Sequence, residues 1–555
     1  MATPLSGKRM SGFSLVDEEI VQNILSRLPA LTFAYAACVN KRWYKICSKI
    51  LKRPKLASAL SLNPSLQDAV KEVIEQVLSE PIRPHFAIAC ISKEFNLELA
   101  HGLIIEKLGS RIPIITNVSS GIIGVDGIAD ELFEEKWETT SGPNIQESDT
   151  AERGLVLLVG FLPGLKIGTI PLLQPRQESN TLVDKFVMDI LHYTAAVSDC
   201  AAPAGIIMFG DKTTDMKPIV AKMDCAMPEE TVIVGDASAD FIFRTGDDSL
   251  NQLVYTCCFQ AVALVFARDR YKPEGLGEIQ FHVTKSTGVL PFGPNLKAVC
   301  VVPKDSERSC LFARLEGQDG ILAAGAILNE IKQQRSQAMK GFPFLDFVVE
   351  FKTYNREISW LITFREEDTF ADLYIGVTKE TQRTSDSGIL TPGKTLEFYK
   401  VIGGGEYYFT VNGIGIRTGD SFLFYQSDSS TASSSCDHAF NKLLALKAEL
   451  KSKNYLRLSN LADKDDKEEV LGGFIFSCYH RGESFFGDTF VDSYPFCNNF
   501  PTAPVAGLFC RGEIGRGPKS LMNEEYDDET SPRCCVHVYS TIYLVMSYLP
   551  PPLES

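Results

Sequence analysis

The sequence predicts an α+β protein, a small N-terminal helical module followed by a layered α/β body of two sub-domains. Three observations lead there. Residues 14–53 carry apolar side chains at helical spacing, whereas beyond about residue 85 apolar runs of strand length alternate with helical stretches. The charge also changes sign between the two parts. The chain has 555 residues, 45% hydrophobic and 23% charged. That is an ordinary globular balance, with length for roughly two to four domains.

In the module, Ser14 or Asp17 can cap a helix, and Asp17, Glu18 and Glu19 suit the positive end of its dipole. Ile20, Ile24 and Leu28, with Val21 and Leu25 beside them, make one broad apolar stripe before Pro29 stops the helix. A second stripe of Phe33, Ala36, Ala37 and Val39 leads into Trp43 and Ile46. Some forty residues cannot enclose so many large side chains, so part of this surface awaits a partner. Within residues 1–60, ten basic side chains against three acidic ones leave +7; the total of −15 then puts −22 on the rest. Such polarity suits an acidic partner for the module. The overall charge argues against a general nucleic-acid surface.

The run Ile20-Val21-Gln22-Asn23-Ile24-Leu25-Ser26-Arg27-Leu28-Pro29, followed by Val39-Asn40-Lys41-Arg42-Trp43, resembles the F-box. Val16-Asp17 stands where that family usually has Leu-Pro, and Asn40 replaces a frequent Cys. The resemblance implies docking on a Skp1-like adaptor through Ile20, Val21, Ile24, Leu25, Leu28, Pro29, Val39 and Trp43, and through it recruitment of cullin and a RING subunit. The F-box is expected over 12–58, with a helical linker over 59–84 closed by Pro81 and Pro84.

In the body, strands are expected at Gly154–Leu162, Ala204–Gly210, Thr231–Gly235, Lys297–Pro303, Phe347–Phe351, Leu361–Phe364, Phe422–Tyr425, Phe474–Tyr479, Pro504–Cys510 and Cys535–Met546. Helices are expected at Leu182–Ser198, Leu322–Gln337 and Cys436–Lys453. Ser427–Ser435, Asp463–Glu469 and Asn523–Pro532 read as solvated loops. No repeat of fixed period is visible, and Leu456-x-Leu458-x-Asn460 is one partial leucine-rich copy that cannot build a solenoid.

A second resemblance covers most of this body. Phe476-Ser477-Cys478-Tyr479-His480-Arg481-Gly482, Phe486-Gly487 and Pro504-Val505-Ala506-Gly507-Leu508-Phe509-Cys510-Arg511-Gly512-Glu513-Ile514-Gly515 are similar, in order, to the FIST C-terminal domain. Gly121-Ile122-Ile123-Gly124 and Val234-Gly235-Asp236-Ala237-Ser238 resemble glycine turns of its N-terminal companion. The resemblance implies a FIST N-terminal domain over 85–345 and a FIST C-terminal domain over 346–555. It also implies a candidate ligand pocket near Cys478, Arg481 and Glu513, with Arg481 and Glu513 free to pair.

Other chemistry is poorly supported. Fifteen cysteines without a C-x-x-C spacing predict reduced, mostly buried thiols, no metal site and no cofactor. Residues 388–395 fit G-x-x-x-x-G-K-T, but the flanks lack the preceding strand and following helix that a phosphate cradle needs. Cys478 with His480 lacks a third orienting group. The first ten residues have no apolar core of signal-peptide length, and no run is long enough to span a membrane, so a cytoplasmic or nuclear setting is expected. The expected function is the substrate receptor of an SCF ubiquitin ligase, not itself a catalyst. The alternative is a module sensing a small, amino-acid-like ligand.

Overall fold

The computed structural model describes residues 17–126, 129, 131–137, 153–174, 181–247, 259–305, 307–338, 353–354, 372–384, 390–458, 469–518, 522 and 532–551. The expected strands Phe347–Phe351 and Leu361–Phe364 lie outside them.

The N-terminal module is three helices, α1 (Glu18–Leu25), α2 (Ala30–Ala37) and α3 (Lys41–Ile50). Asn40, the residue that departs from the family pattern, caps α3: its side-chain carbonyl accepts from the Trp43 N–H at 2.9 Å. Val21, Leu25, Phe33, Ala36, Ile46 and Cys47 form the core between the helices.

Residues 59–84, expected as a linker, belong to the body instead. Strand Lys55–Ser61 follows α3 within a few residues and pairs with Leu155–Phe161. Helix Leu66–Val77 then lays six buried apolar side chains on the sheet, a burial worth roughly 1.5–3 kcal/mol for each large one.

The body repeats one plan three times. Each unit has an edge strand, a helix, a strand, a helical crossover, a second strand parallel to the first, and a final strand set antiparallel between edge and first. In the first unit these strands are Lys55–Ser61, Phe86–Ile91, Pro113–Val118 and Leu155–Phe161. In the second they are Leu165–Leu173, Gly205–Asp211, Val232–Thr245 and Phe259–Arg268. In the third they are Glu278–Thr287, Glu469–Cys478, Val505–Cys510 and Ser540–Leu549. The inner strands, such as Phe86–Ile91 and Leu155–Phe161, are buried on both faces because the sheets are covered twice, whereas edge strands such as Glu278–Thr287 are partly polar. Outward faces meet their own helices, as Ala87, Ala89 and Ile91 do in the first unit. Inward faces of all three meet in one core, where Phe86, Ile88, Ile207, Phe209, Phe474, Phe476 and Leu544 lie together.

The units also hold one another edge to edge. After its parallel strand, each chain segment crosses to a neighbour. Gly121–Val125 pairs with Val505–Cys510 of the third unit. Asp240–Thr245 pairs with Pro113–Val118 of the first, and Glu513–Arg516 pairs with the Ile233–Asp236 stretch of the second. The three pairings close a ring, which shields these inner edges from further strand pairing.

Between the edge strand and first helix of the third unit is an inserted β-module. It contains Val289–Pro303, Arg308–Leu315, Leu373–Thr384, Leu390–Gly404, Phe409–Asn412 and Ser421–Ser427, covered by helix Ala324–Ala338 around its own core. Strand pairing therefore crosses the expected 345/346 boundary, since Glu278–Thr287 lies beside Ser540–Leu549. The expected loop Ser427–Ser435 mostly begins a helix, Ser429–Leu458. Asp428 accepts from the Thr431 N–H at 2.7 Å at its start, and Ala432, Cys436, Ala439, Leu443, Leu446 and Leu450 follow at helical spacing, all buried.

Gly235 shows how tightly the ring closes. It lies between Met208 and Ile514, and a Cβ there would stand 1.9 Å from the Met208 carbonyl oxygen. Gly235→Ala is expected to cost about 3 kcal/mol. Gly102→Ala, on an open helix face with nothing within 4 Å, should instead add up to about 1 kcal/mol. Thermal melts of the two variants moving in opposite directions would verify this.

Candidate functional site

The helical module leaves much of its apolar surface in solvent. Ile20 (54% exposed), Ile24 (49%), Leu31 (66%), Tyr35 (68%), Val39 (62%) and Tyr44 (63%) stand out, an unusual density for so small a unit. Pro29 is exposed, while Leu28 and Trp43 are half-buried. Val21 and Leu25, expected on the contact face, are each 1% exposed and form the module's own core. The reason is angular: one residue step turns about 100° around a helix, so only one edge of a broad stripe can face α3. Leu31 and Tyr35, spaced i and i+4 on α2, were not anticipated, although that spacing signals a shared face. On the same module Arg27, Lys41, Lys45, Lys49, Lys52 and Arg53 are exposed, as are Asp17, Glu18 and Glu19 at the start of α1. Lys49 pairs with Glu18 at 2.6 Å, a surface contact of little energetic weight.

Residues 13–54 match the F-box domain. Along nearly its whole length the chain is also similar to an F-box/LRR-repeat protein of Arabidopsis thaliana. The two are 37% identical over 550 residues, which covers 97% of this chain and 94% of that protein.

The chain is an F-box protein. F-box domains bind Skp1 in SCF complexes, and F-box proteins are generally non-catalytic adaptors, so a substrate-receptor role in an SCF ligase is supported in general terms. The leucine-rich repeats in the relative's name have no counterpart among the described residues of this F-box protein. Its Leu456 and Leu458 end a helix rather than begin a strand.

In the body, Cys478, Arg481 and Glu513 are 4%, 0% and 0% exposed. Arg481 pairs with Asp492, not with Glu513, at 2.7 Å. It also donates to the Tyr539 carbonyl at 2.9 Å and to the Ser286 hydroxyl at 2.9 Å. Cys478 and Glu513 do come together, and burial pushes the Cys478 thiol well up, the opposite of nucleophile activation. Its sulfur lies 3.9 Å from His480 Nδ1. Leu390–Thr395, the described part of the G-x-x-x-x-G-K-T match, lies within strand Leu390–Gly404, with Lys394 opposite Glu380. A strand there removes the helix N-terminus that phosphate binding requires.

Burial pushes the Glu513 carboxyl up to about 8 and that of Asp236, its partner across the ring, up to about 7. A carboxyl raised in the folded state favours folding fully below its unfolded value of 4.5, and that contribution is lost as pH climbs towards 8. Glu513→Gln should therefore lose less stability between about pH 5.5 and 8.5 than the parent, by about a few kcal/mol. Urea midpoints at the two pH values measure it.

Proposed function

We propose that this F-box protein docks a Skp1-like adaptor on its helical module and holds a substrate protein on its three-unit body. Ubiquitin then passes to that substrate from an E2 brought by cullin and the RING subunit. The exposed apolar side chains on a module of net positive charge carry this reading, because an acidic adaptor with an apolar groove would complement them. The attachment supports it too. The Ala30 N–H donates to the Leu78 carbonyl at 2.9 Å, and α3 runs almost directly into the edge strand. A rigid joint presents a bound substrate at a set place, which raises its effective concentration at the transfer site.

We read the body as a FIST pair. The motif segments of that resemblance fall on the ring contacts: Val505–Cys510 and Glu513–Arg516 are two of the closing strands. A Cβ on Gly507 would meet the Ile475 carbonyl oxygen at 2.7 Å, so the glycine allows a close approach of strands. In this reading a cytoplasmic or nuclear setting follows from the partners. The test is affinity capture of the intact chain from cells with cullin turnover blocked. Recovery of a Skp1-like adaptor and a cullin, together with a substrate protein, is expected; recovery of neither adaptor nor cullin would sink the proposal.

A further inference from the structure

The ring closes around a cavity of about 240 Å³ to which every unit contributes. From the first unit come Lys93, just past one strand, and Ser119, just past its parallel neighbour. The second supplies Lys212, Asp236 and Asp240, and the third supplies Tyr479 and Arg511. All follow or end the first or parallel strands of their units, or begin the crossing segment. Ligand sites of open α/β sheets form beyond such carboxyl ends, because strand ends diverge there and leave room.

The chemistry of the wall indicates what would fit. Three cations face two carboxyl groups. Lys212 is engaged by Asp240 at 2.8 Å, whereas Lys93 has no ion pair among the described residues, and Arg511 lies over the Tyr479 ring at 5.4 Å. Asp236 is 2% exposed and held largely by backbone donors, with the Ser238 N–H at 2.9 Å. Its raised carboxyl can carry a proton near neutrality and so donate to an anion.

One buried group has unmet hydrogen-bonding capacity at this place. Trp137 lines the cavity, is 4% exposed, and its indole N–H has no partner among the described residues. Buried polar atoms normally find partners, and leaving one unmet costs about 1–3 kcal/mol. A ligand can supply what the chain does not.

We propose that this cavity binds a small organic anion, a carboxylate or phosphate compound held by Lys93 and Arg511 and oriented by the Trp137 N–H. A volume of about 240 Å³ admits a small metabolite. The site is independent of the adaptor surface, so its test does not depend on the ligase reading.

The experiment is thermal melting of the full-length chain with succinate, with inorganic phosphate and with choline, each at about 10 mM, since a ligand of the native state raises the midpoint. A rise with succinate alone assigns a carboxylate, with phosphate alone a phosphoryl group, and with both a general anion site. Lys93→Ala with Arg511→Ala should abolish the rise and leave the unliganded midpoint unchanged, because both side chains are exposed. No rise with either anion, a rise equalled by choline, or a rise that survives the double substitution would overturn the proposal.

Discussion

Replacing Arg481 with methionine is expected to destabilise the body by about 3–5 kcal/mol, the cost of leaving one member of a buried ion pair alone. Arg481 and Asp492 are both 0% exposed. Their network spans four parts of the third unit. Asp492 accepts from Ser477 at 2.8 Å and from Thr541 at 2.8 Å, while Arg481 reaches Ser286 on the edge strand and Cys436 on the long helix. Without the guanidinium, Asp492 retains two hydroxyl donors but loses its counter-charge in a place water does not reach. Arg481→Lys should recover only part of the loss, since an ammonium cannot span the same fork of acceptors. Arg481→Met combined with Asp492→Asn should be milder than Arg481→Met alone, because the amide removes the stranded charge. Urea unfolding midpoints of the three variants measure all of this; equal stability of the parent and Arg481→Met would refute it.

The second large effect concerns the adaptor surface. Ile20→Asp with Ile24→Asp should weaken binding to a Skp1-like adaptor by more than about 100-fold, because central apolar anchors carry most of an interface's energy and the new charges oppose desolvation. Both positions are about half exposed in the free protein, so the module should keep its fold. Val21→Asp offers the contrast. One residue away, its side chain is 1% exposed in the module core, and a carboxylate there should melt the three helices. Adaptor titrations read beside far-ultraviolet circular dichroism separate the two: binding lost with helicity kept, against binding and helicity lost together.

Local features were legible. The helix that α1 forms and the short apolar strands follow from spacing alone, although α1 ends at Leu25, before Leu28, and Pro29 serves as the N-cap of α2; Leu155–Phe161, for instance, lies within the expected Gly154–Leu162. What escaped depends on partners distant in sequence. Whether Ile20 or Val21 faces inward is decided by where α3 packs, and no stripe on α1 records it. Arg481 could have met Asp492 or Glu513 on charge grounds, and only the loop path after Cys478 chooses. The threefold plan was hidden because equivalent strands begin at residues 86, 205 and 469, spacings made unequal by the inserted β-module. The helix from Ser429 was readable in principle, since Asp428 and the apolar spacing signal it, but a serine-rich composition concealed the stripe.

The closed ring bears on how the chain is made. Its final strand, Ser540–Leu549, sits between Glu278–Thr287 and Glu469–Cys478, so the third unit cannot assemble until that strand has been synthesised. The first unit must wait with the inward faces of Phe86 and Ile88 incompletely covered while the nearly 390 residues from its last strand to Leu549 follow, roughly 20–80 seconds at ordinary elongation rates. A ribosome-bound fragment therefore presents apolar sheet faces and open strand edges for most of its synthesis, making the nascent protein a natural client for chaperones. For the same reason, a premature stop shortly before Ser540 should yield an aggregation-prone chain even though the whole F-box is already present.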